Sequence, residues 1–519
     1  MKADERETPV IWHSVAREVS AVTGACLMTR TELYRKLGGF DEQDFSVSYN
    51  DVDYCLRAVA AGWRCVYTPQ AKLMHWGSAT RGVTFDEAEH IAFVRRHPSP
   101  RDPYFSRHLR LDNRLRPRCR GAVSGHTGRG GRLHVLLITH NLNLEGAPLF
   151  LLEYATHLVR EAGFKVTVIS NEEGPIRHRY EELGAKILLV DRHQFYSAEN
   201  EAQFHERLAA ARATLPLDSV DLVVCNTLVG FWGIHLAKAA GKPSLYYIHE
   251  STSTYRFYEQ MLRRPMYPVA EQALSLADRT LFLCDATRAY YEDHNHRDTF
   301  RIVRSWIDLA GIEQFKATHD RGALRRKYGF RDDEVIIANI GTVCERKGQH
   351  IFIRAVDHFN RHHRDDGRPV RFVLVGARKG IYLDWLTADI AGLGIDNLTL
   401  IPETREAYDF FVLADLFVCT SYEESFPRVV MEAMAFGTPI VTTDVHGIPE
   451  MVRQRAEAYL VKPGEVEGLS RMMRTCLAKE RSGKSLTPTA YSKVLRAYDH
   501  RKVLPMHVAL AREVVLTHE

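Results

Sequence analysis

The chain has 519 residues, of which 45% are hydrophobic and 26% are charged. This composition is typical of a globular protein and excludes global disorder or a fibrous protein. The length predicts about three domains, and the net charge of +4 is too small to indicate nucleic-acid binding by itself. No apolar run approaches the roughly 18 residues of a membrane span, and the start MKADERETPV lacks the apolar core of a signal peptide. We therefore expect neither a membrane-spanning nor a secreted protein.

An arginine-rich stretch separates the amino-terminal part from the rest. Between Arg95 and Arg132 there are eleven arginines, no lysine and two acidic residues, so this stretch carries +9. It is also rich in glycine, so we expect residues 95–131 to form a mobile, solvated linker after a small unit at 1–94. A sharper hypothesis is that the arginines bind an anionic surface such as acidic phospholipid. Nucleic acid is not expected as a partner, because aromatic residues do not alternate with the arginines.

Nine cysteines are scattered along the chain without a C-x-x-C pair. This pattern is typical of reduced thiols in a cytoplasmic protein rather than of a disulfide framework. We therefore expect a cytoplasmic protein, peripheral at the inner face of the membrane if the arginine-rich stretch binds lipid.

From residue 133 onward, short apolar runs alternate with helical patterns. Six runs lie between residues 133 and 284, and five more lie between 335 and 443. Continuous apolar strands spaced by helices predict parallel sheets that are covered on both faces, which is the doubly wound α/β architecture. The restart near residue 333 predicts two such domains in tandem, at 132–315 and 316–480, followed by a helical tail at 481–519.

Two glutamates separated by seven residues stand in the most informative segment, 421–450. Glu424 should lie in the loop after the strand at 415–421, because Ser425 and Pro427 are helix-start signals. The carboxyl edge of the sheet, where this loop lies, is where doubly wound folds bind ligands. Glu432 falls about five residues into the helix, a rise of roughly 7 Å. The two carboxylates can therefore accept hydrogen bonds from a hexose and a ribose, with a diphosphate between them at the helix start.

This segment, Glu-x7-Glu with EAMAFGTPIVTTDVHGIPE, resembles the motif of the retaining GT-B glycosyltransferases of family 4 (glycosyl transferases group 1). The resemblance covers about residues 132–480 and implies two Rossmann-like domains that face a cleft, with the small amino-terminal α/β unit in addition. It also implies that Glu424 contacts the transferred sugar and that Glu432 holds the nucleotide ribose. Ser425, Phe426 and Pro427 would line the donor site beside them.

A diphosphate leaving group gains negative charge, so it needs fixed cations. Lys347 precedes Gly348 and a helix start, which places an ammonium beside positive helix ends. These two residues match the family pattern G-R-L-x-x-x-K-G, which begins at Gly341, but the family arginine is Thr342 here. Arg346 is the candidate substitute, although we expect it on the other side of the loop. No carboxylate cluster suggests a metal, so we expect a metal-independent reaction without a cofactor beyond the donor.

The first domain supplies two further candidates. Glu145-Gly146-Ala147 stands where the family has Gly-Gly-Ala, so Gly146 would keep the permissive backbone that approaches the donor phosphate. His249 ends the strand at 244–249, where the resemblance implies a histidine that faces the transferred sugar. An imidazole there can orient a hydroxyl or the acceptor, but a purely structural histidine at a strand end is equally compatible with the sequence. The acceptor should lie in the cleft, largely against the first domain.

Residues 21–82 resemble the second half of a family-2 GT-A glycosyltransferase. The resemblance rests on Gly38-Gly39-Phe40-Asp41, on the N-D-V-D-Y-C-L-R box and on His75. It implies that Asp51 is the residue that deprotonates an acceptor, although Asn50 replaces the usual glutamate before it. The nucleotide-binding half with its Asp-x-Asp metal site would precede these residues. We therefore expect the unit to be inactive alone, either as a fragment of a tandem transferase or as a remnant with a docking role.

The resemblance as a whole implies a retaining transferase that moves a hexose from a nucleoside diphosphate sugar to a glycan or lipid-linked acceptor. Its setting would be the biosynthesis of surface polysaccharide or lipopolysaccharide. Two alternatives stay open. A nucleotide-sugar epimerase of GT-B fold would convert the donor without an acceptor. A non-catalytic scaffold would bind the sugar nucleotide without transferring or hydrolysing it.

Overall fold

The computed structural model describes residues 16–45, 49–71, 89, 92–93, 96–97, 132–362 and 367–518. The chain divides into two compact units, Met1–Val123 and Ser124–Glu519. His75 and most of the predicted linker, residues 98–131, lie outside the described residues. Within the described ranges, no helix is both long and apolar enough to cross a bilayer.

The first unit contains an antiparallel pair of strands, β1 (Arg17–Val19) and β2 (Cys65–Tyr67), and the helices Thr31–Lys36 and Asn50–Ala60. Asp53 on the second helix is fully buried. Its carboxylate accepts a hydrogen bond from Arg57 Nε at 2.7 Å and lies 2.9 Å from His97 Nε2. Because a buried charge needs such partners, this cluster fixes the interior of the small unit.

The second unit begins with a seven-stranded parallel sheet in the order β5-β4-β3-β6-β7-β8-β9. Its strands are β3 (His134–Thr139), β4 (Lys165–Ser170), β5 (Lys186–Leu189), β6 (Leu222–Asn226), β7 (Ser244–Ile248), β8 (Arg279–Phe282) and β9 (Phe300–Ile302). The chain runs outward from β3 to β5 and then returns to the other side of β3 with β6. This reversal between β3 and β6 is the switch point of a doubly wound sheet.

Helices cover both faces of this sheet. They are Gly146–Arg160, Arg177–Glu182, His193–Tyr196, Glu201–Thr214, Phe231–Ala239, Thr254–Tyr258, Tyr267–Leu276 and Asp285–Ala289. Side chains of β3 alternate between the faces, because Leu136 and Ile138 pack into one core whereas Val135 and Leu137 pack into the other. Burial on both faces explains why the strands are continuously apolar in sequence.

A six-stranded parallel sheet follows, in the order β12-β11-β10-β13-β14-β15. Its strands are β10 (Val335–Ile340), β11 (Val370–Ala377), β12 (Leu398–Pro402), β13 (Leu416–Cys419), β14 (Ile440–Thr443) and β15 (Tyr459–Val461). The helices are Leu309–Thr318, Arg321–Lys327, Gln349–His362, Ile381–Gly392, Ala407–Leu413, Arg428–Phe436, Ile448–Met451 and Val466–Arg481. The switch point lies between β10 and β13, so the loops after these two strands meet.

The prediction of two tandem doubly wound sheets is therefore confirmed. The structure moves the boundary predicted at 315, because it falls inside the helix Leu309–Thr318. Leu309 and Ile312 of that helix pack into the core of the second domain, so this domain begins near residue 307.

The carboxyl-terminal tail is helical, as predicted, but its two helices serve different domains. Helix Thr487–Ala497 packs Ala490 and Val494 into the core of the second domain. Helix His500–Thr517 returns to the first domain, where Val503 and Val508 join its core. The tail therefore links the two domains.

Candidate functional site

Glu424 lies in the loop between β13 and the helix Arg428–Phe436, at the carboxyl edge of the second sheet, as predicted. The carboxylate is buried. It forms an ion pair with Lys347 Nζ and accepts a hydrogen bond from the Ser421 hydroxyl at 2.8 Å. Burial raises the pKa of Glu424, but the charges of Lys347 and Arg346 outweigh it and hold the pKa below its usual value. Glu424 is therefore ionised and poised to accept hydrogen bonds.

Gly348 explains how Lys347 reaches Glu424. Its φ is +64°, and a Cβ at this position would lie 2.3 Å from the Thr420 carbonyl oxygen. Only glycine permits so close an approach between the loops after β10 and β13. The Thr420 hydroxyl also donates to the Lys347 carbonyl at 2.9 Å, so the two loops are fastened together.

The side chain of Arg346 lies near Glu424. Its Nη1 lies 3.9 Å from Glu424 Oε2, so it faces the same carboxylate as Lys347. Thr342, which stands where the family has arginine, is only half-buried, and its carbonyl accepts a hydrogen bond from Gln349 Nε2 at 3.1 Å. Gly341 before it has open space, because no described atom lies within 4 Å of where a Cβ would be. The cations of this loop are therefore Arg346 and Lys347.

Glu432 is the fifth residue of the helix Arg428–Phe436, as predicted, and is buried. Arg428 Nε donates to Glu432 Oε1 at 3.0 Å. The other guanidinium nitrogens of Arg428 donate to Glu153 of the first domain, at 2.7 and 3.0 Å. Burial raises the pKa of Glu432, and Arg428 offsets only part of that rise. Sequence reasoning missed Arg428, although its spacing of four residues from Glu432 on a helix is the signal for such a pair.

Ser425, Phe426 and Pro427 lie between Glu424 and this helix. The Ser425 carbonyl accepts from Cys284 Sγ at 3.3 Å, which is a contact with the first domain. The Phe426 ring lies 5.4 Å from the ring of Tyr498 in the tail. Pro427 is the residue before the helix begins. The Ser425 hydroxyl also accepts from the Thr287 hydroxyl at 3.2 Å, so the side chains of Ser425 and Phe426 both contact other parts of the protein.

His249 directly follows β7 at the carboxyl edge of the first sheet. Its Nε2 lies 2.7 Å from Asn226 Oδ1, and Asn226 Nδ2 donates to the Ala147 carbonyl at 2.9 Å. Since this second bond fixes the orientation of the amide, His249 must donate through Nε2 and keep Nδ1 as an acceptor. Burial, helped by the charge of His140, lowers the pKa of His249 to about 3. Asn226 was missed, although a polar residue at the end of an apolar strand is the signal for it.

Gly146 is the first residue of the helix Gly146–Arg160. Its φ is not positive, so glycine is not required here for a left-handed backbone, and the approach of this backbone to the donor phosphate stays a prediction. No described atom lies within 4 Å of where its Cβ would be, so glycine leaves free space at the helix start. Glu145 beside it is ionised, because the nearby His140, whose Nε2 lies 3.8 Å from Glu145 Oε2, lowers the pKa of Glu145 to about 2.

Three polar contacts bring the carboxyl edges of the two sheets together. Arg378, after β11, lies 3.5 Å from Glu145. Arg256, after β7, lies 3.4 Å from Glu423. The Glu450 carboxylate accepts from the backbone N–H groups of residues 285 and 286, at 2.9 and 2.8 Å. The carboxyl edges that carry the predicted site residues of the two domains therefore face each other.

In the first unit, Asp51 is the second residue of the helix Asn50–Ala60, and its carboxylate accepts from the Gly24 N–H at 2.7 Å. His75, the other candidate of this unit, lies outside the described residues. Across the described parts of both units, no group of three or more His, Cys, Asp or Glu residues is arranged to hold a metal. The eight cysteines that the structure describes are free thiols.

Comparison with known families gives three matches. The model for Glycosyltransferase Family 4 matches residues 144–310, and the model for Glycosyl transferases group 1 matches residues 320–493. The model for Glycosyltransferase like family 2 matches residues 1–100. These are the segments in which the sequence motifs lie.

Curated relatives include two named D-inositol 3-phosphate glycosyltransferase. The protein of Nocardia farcinica is 36% identical over 175 residues, which cover 33% of this chain and 38% of that protein. The protein of Mycobacteroides abscessus is 34% identical over 170 residues, which cover 32% and 37%. The chain thus spans less than half the length of these relatives.

Solved structures share the fold. Anabaena Alr3699/HepE in complex with UDP and glucose has a TM-score of 0.62 and 19% identity, and the match covers 73% of this chain and 99% of that chain. WaaG, a glycosyltransferase involved in lipopolysaccharide biosynthesis, has a TM-score of 0.56 and 16% identity, with coverage of 73% and 99%. The GT-B prediction for residues after 132 is therefore confirmed.

Proposed function

We propose that the chain transfers a hexose from a nucleoside diphosphate sugar to an acceptor hydroxyl with retention, because residues 144–310 and 320–493 match the models for Glycosyltransferase Family 4 and for Glycosyl transferases group 1. One observation carries the proposal. An ionised, buried Glu424 lies against Lys347 and Arg346 at the switch point of the second sheet, where doubly wound folds bind ligands.

Each residue has a role in this reaction. Lys347 and Arg346 stabilise the charge that develops on the leaving diphosphate. Glu424 accepts hydrogen bonds from the hydroxyls of the transferred sugar and so fixes its position. Glu432 accepts them from the ribose. His249, which is neutral, uses Nδ1 to accept a hydrogen bond from a hydroxyl of the sugar or of the acceptor.

The bond between the anomeric carbon and the leaving phosphate oxygen breaks as the acceptor oxygen bonds to the same face of that carbon. The proton of the acceptor hydroxyl passes to the leaving phosphate oxygen. No protein nucleophile is needed, so Glu424 acts by positioning the sugar. The reaction is metal-independent in this proposal, and we expect EDTA to leave turnover unchanged. Loss of turnover that Mg²⁺ or Mn²⁺ restores would contradict this.

We place the reaction in surface polysaccharide or lipopolysaccharide biosynthesis, with a glycan or lipid-linked acceptor, at the cytoplasmic face of the membrane. The shared fold of WaaG, a glycosyltransferase involved in lipopolysaccharide biosynthesis, supports this setting. The complex of HepE with UDP and glucose supports a nucleotide-sugar donor. The arginine-rich stretch 95–132 would bind anionic lipid there. Deleting it should weaken salt-sensitive binding to vesicles that contain acidic phospholipid, and unchanged binding would leave this stretch only a tether.

The test begins with a thermal-shift panel of UDP-, GDP-, ADP- and dTDP-glucose, since a ligand of the native state raises its melting temperature. With the donor so found, Glu424→Gln should lower kcat by about 100-fold, the scale of losing one transition-state contact. Glu432→Ala should mainly raise the donor Kd. Glu467→Gln, an exposed glutamate of the same domain, is the matched control.

Wild-type kinetics for both site variants would refute the assignment. Incubation of wild-type protein with donor alone separates the alternatives. An epimerised donor would favour the epimerase. Donor binding without transfer or hydrolysis would favour the scaffold, for which Thr342 in place of the family arginine is the supporting observation.

A further inference from the structure

One guanidinium joins the donor-site helix to the other domain. Arg428 begins the helix Arg428–Phe436 of the second domain, and Glu432 lies one turn later. Glu153 lies within the helix Gly146–Arg160 of the first domain. Arg428 bonds to both carboxylates, with an N···O distance of 2.7 Å to Glu153 and 3.0 Å to Glu432. Its interactions therefore cross the boundary between the domains.

The geometry uses the whole guanidinium. Two nitrogens form a fork on Glu153, and Nε is left for Glu432. A planar fork of this kind fixes direction as well as distance. Trp306 Nε1 also donates a hydrogen bond to the Glu153 carboxylate at 2.8 Å, which further fixes the position of Glu153. The position of one Glu432 oxygen is thus set by a chain of bonds that starts in the first domain.

The three side chains are shielded from water. Their exposed fractions are 20% for Arg428, 21% for Glu153 and 10% for Glu432. Within this cluster of three side chains, Arg428 is the only cation, and the two carboxylates share it. If the domains separate, Arg428 must give up its bonds to one of the two carboxylates, since Glu153 and Glu432 lie on different domains.

We propose that Arg428 is a positioning residue that couples the donor carboxylate Glu432 to the spacing of the two domains through Glu153. This inference rests on the proposed role of Glu432 in binding the donor. A donor that bonds to Glu432 then favours the arrangement in which Glu153 is in place, and that arrangement favours the donor. Such coupling is reciprocal by thermodynamic necessity.

Other contacts keep the domains together when this one is removed, so the variants should fold. The Glu450 carboxylate caps the backbone at residues 285 and 286 of the first domain. This contact does not involve Arg428 or Glu432. Glu450→Gln is therefore the matched control, since it weakens a contact between the domains without touching the coupled chain.

The experiment measures Kd by calorimetry on the full chain with UDP, GDP and ADP, using the diphosphate that the wild-type protein binds. Glu153→Gln should raise this Kd about tenfold, although Glu153 lies in the other domain. Glu432→Gln should raise it at least as much, and the double variant should be no worse than Glu432→Gln alone. A shared chain of bonds gives this non-additivity, whereas independent sites add. Arg428→Lys, which keeps the charge without the fork, should recover only part of the affinity lost in Arg428→Gln.

A purely structural contact would lower the melting temperature of Glu153→Gln without changing Kd, and that result would overturn the inference while leaving the proposed function intact. Additive losses in the double variant would also overturn it. An equal loss of affinity in Glu450→Gln would mean that any loosening of the domains suffices, so Arg428 would have no special role. If Glu432→Gln itself binds like wild type, the donor role of Glu432 fails and the coupling fails with it. Coupled binding without any sugar transfer would support the inference and count against the proposed function alone.

Discussion

Replacement of Lys347 by methionine tests the electrostatics of the site most directly. Methionine keeps an apolar stem of similar length and removes the charge. The exposed fractions of Lys347 and Glu424 are 16% and 7%, so Glu424 would stay buried without its main partner. Removing one member of a buried ion pair costs about 3–5 kcal/mol. The Ser421 hydroxyl and the more distant Arg346 remain, so we expect the lower end, about 3 kcal/mol at pH 7.

The pH dependence of this loss has a defined sign. In the wild-type protein the pKa of Glu424 is held below its usual value. The contribution of ionised Glu424 to the free energy of unfolding is therefore present above the usual pKa and is lost as the pH falls through the lowered pKa. Without Lys347, burial raises the pKa of Glu424, and protonation then removes the unpaired charge as the pH falls. The difference in stability between the two proteins should therefore shrink from pH 7 to pH 5.

Urea unfolding of both proteins at the two pH values measures this difference. Glu424→Gln in the Lys347→Met background removes the buried charge chemically and should restore most of the stability at pH 7. A loss below about 1 kcal/mol, the scale of an exposed ion pair, would refute the reasoning. So would a loss that is the same at both pH values.

Two further predictions concern packing and protonation. Gly447→Ala would place a Cβ 1.7 Å from the Ser425 carbonyl oxygen. We therefore expect the free energy of unfolding, measured by thermal unfolding, to fall by about 2 kcal/mol. The control Gly392→Ala, with no described atom within 4 Å of its Cβ, should not destabilise the protein. Burial lowers the pKa of His249 to about 3 and that of His507 to about 4. Each folded pKa lies below the unfolded value, so stability should fall as the pH drops below about 6.5, by up to about 1.4 kcal/mol per pH unit for each group. His507→Gln should flatten this slope in urea unfolding, and an unchanged slope would contradict the assignment.

The sequence predicts well where the candidate residues of the second domain lie, because the loops after β10 and β13 are defined by two apolar strands and two helix starts. The meeting of Lys347 with Glu424 follows from the switch point between these strands, which doubly wound topology dictates. The three-residue strands β9 and β15 escaped prediction because so few residues show no periodicity. Arg428 with Glu153, and the return of the last helix to the first domain, escaped it because both depend on contacts far apart in sequence.

Three cations at the carboxyl edges of the two sheets are each paired with carboxylates of the protein. Lys347 is held by Glu424, Arg428 by Glu153 and Glu432, and Arg378 by Glu403 and, at a longer distance, Glu145. Each cation is therefore fixed by a carboxylate of the protein before any ligand arrives. A diphosphate does not have to order these side chains, so less of its binding free energy is lost to conformational entropy. The same carboxylates limit how far each cation can move, which places positive charge in advance where negative charge would develop on the leaving group.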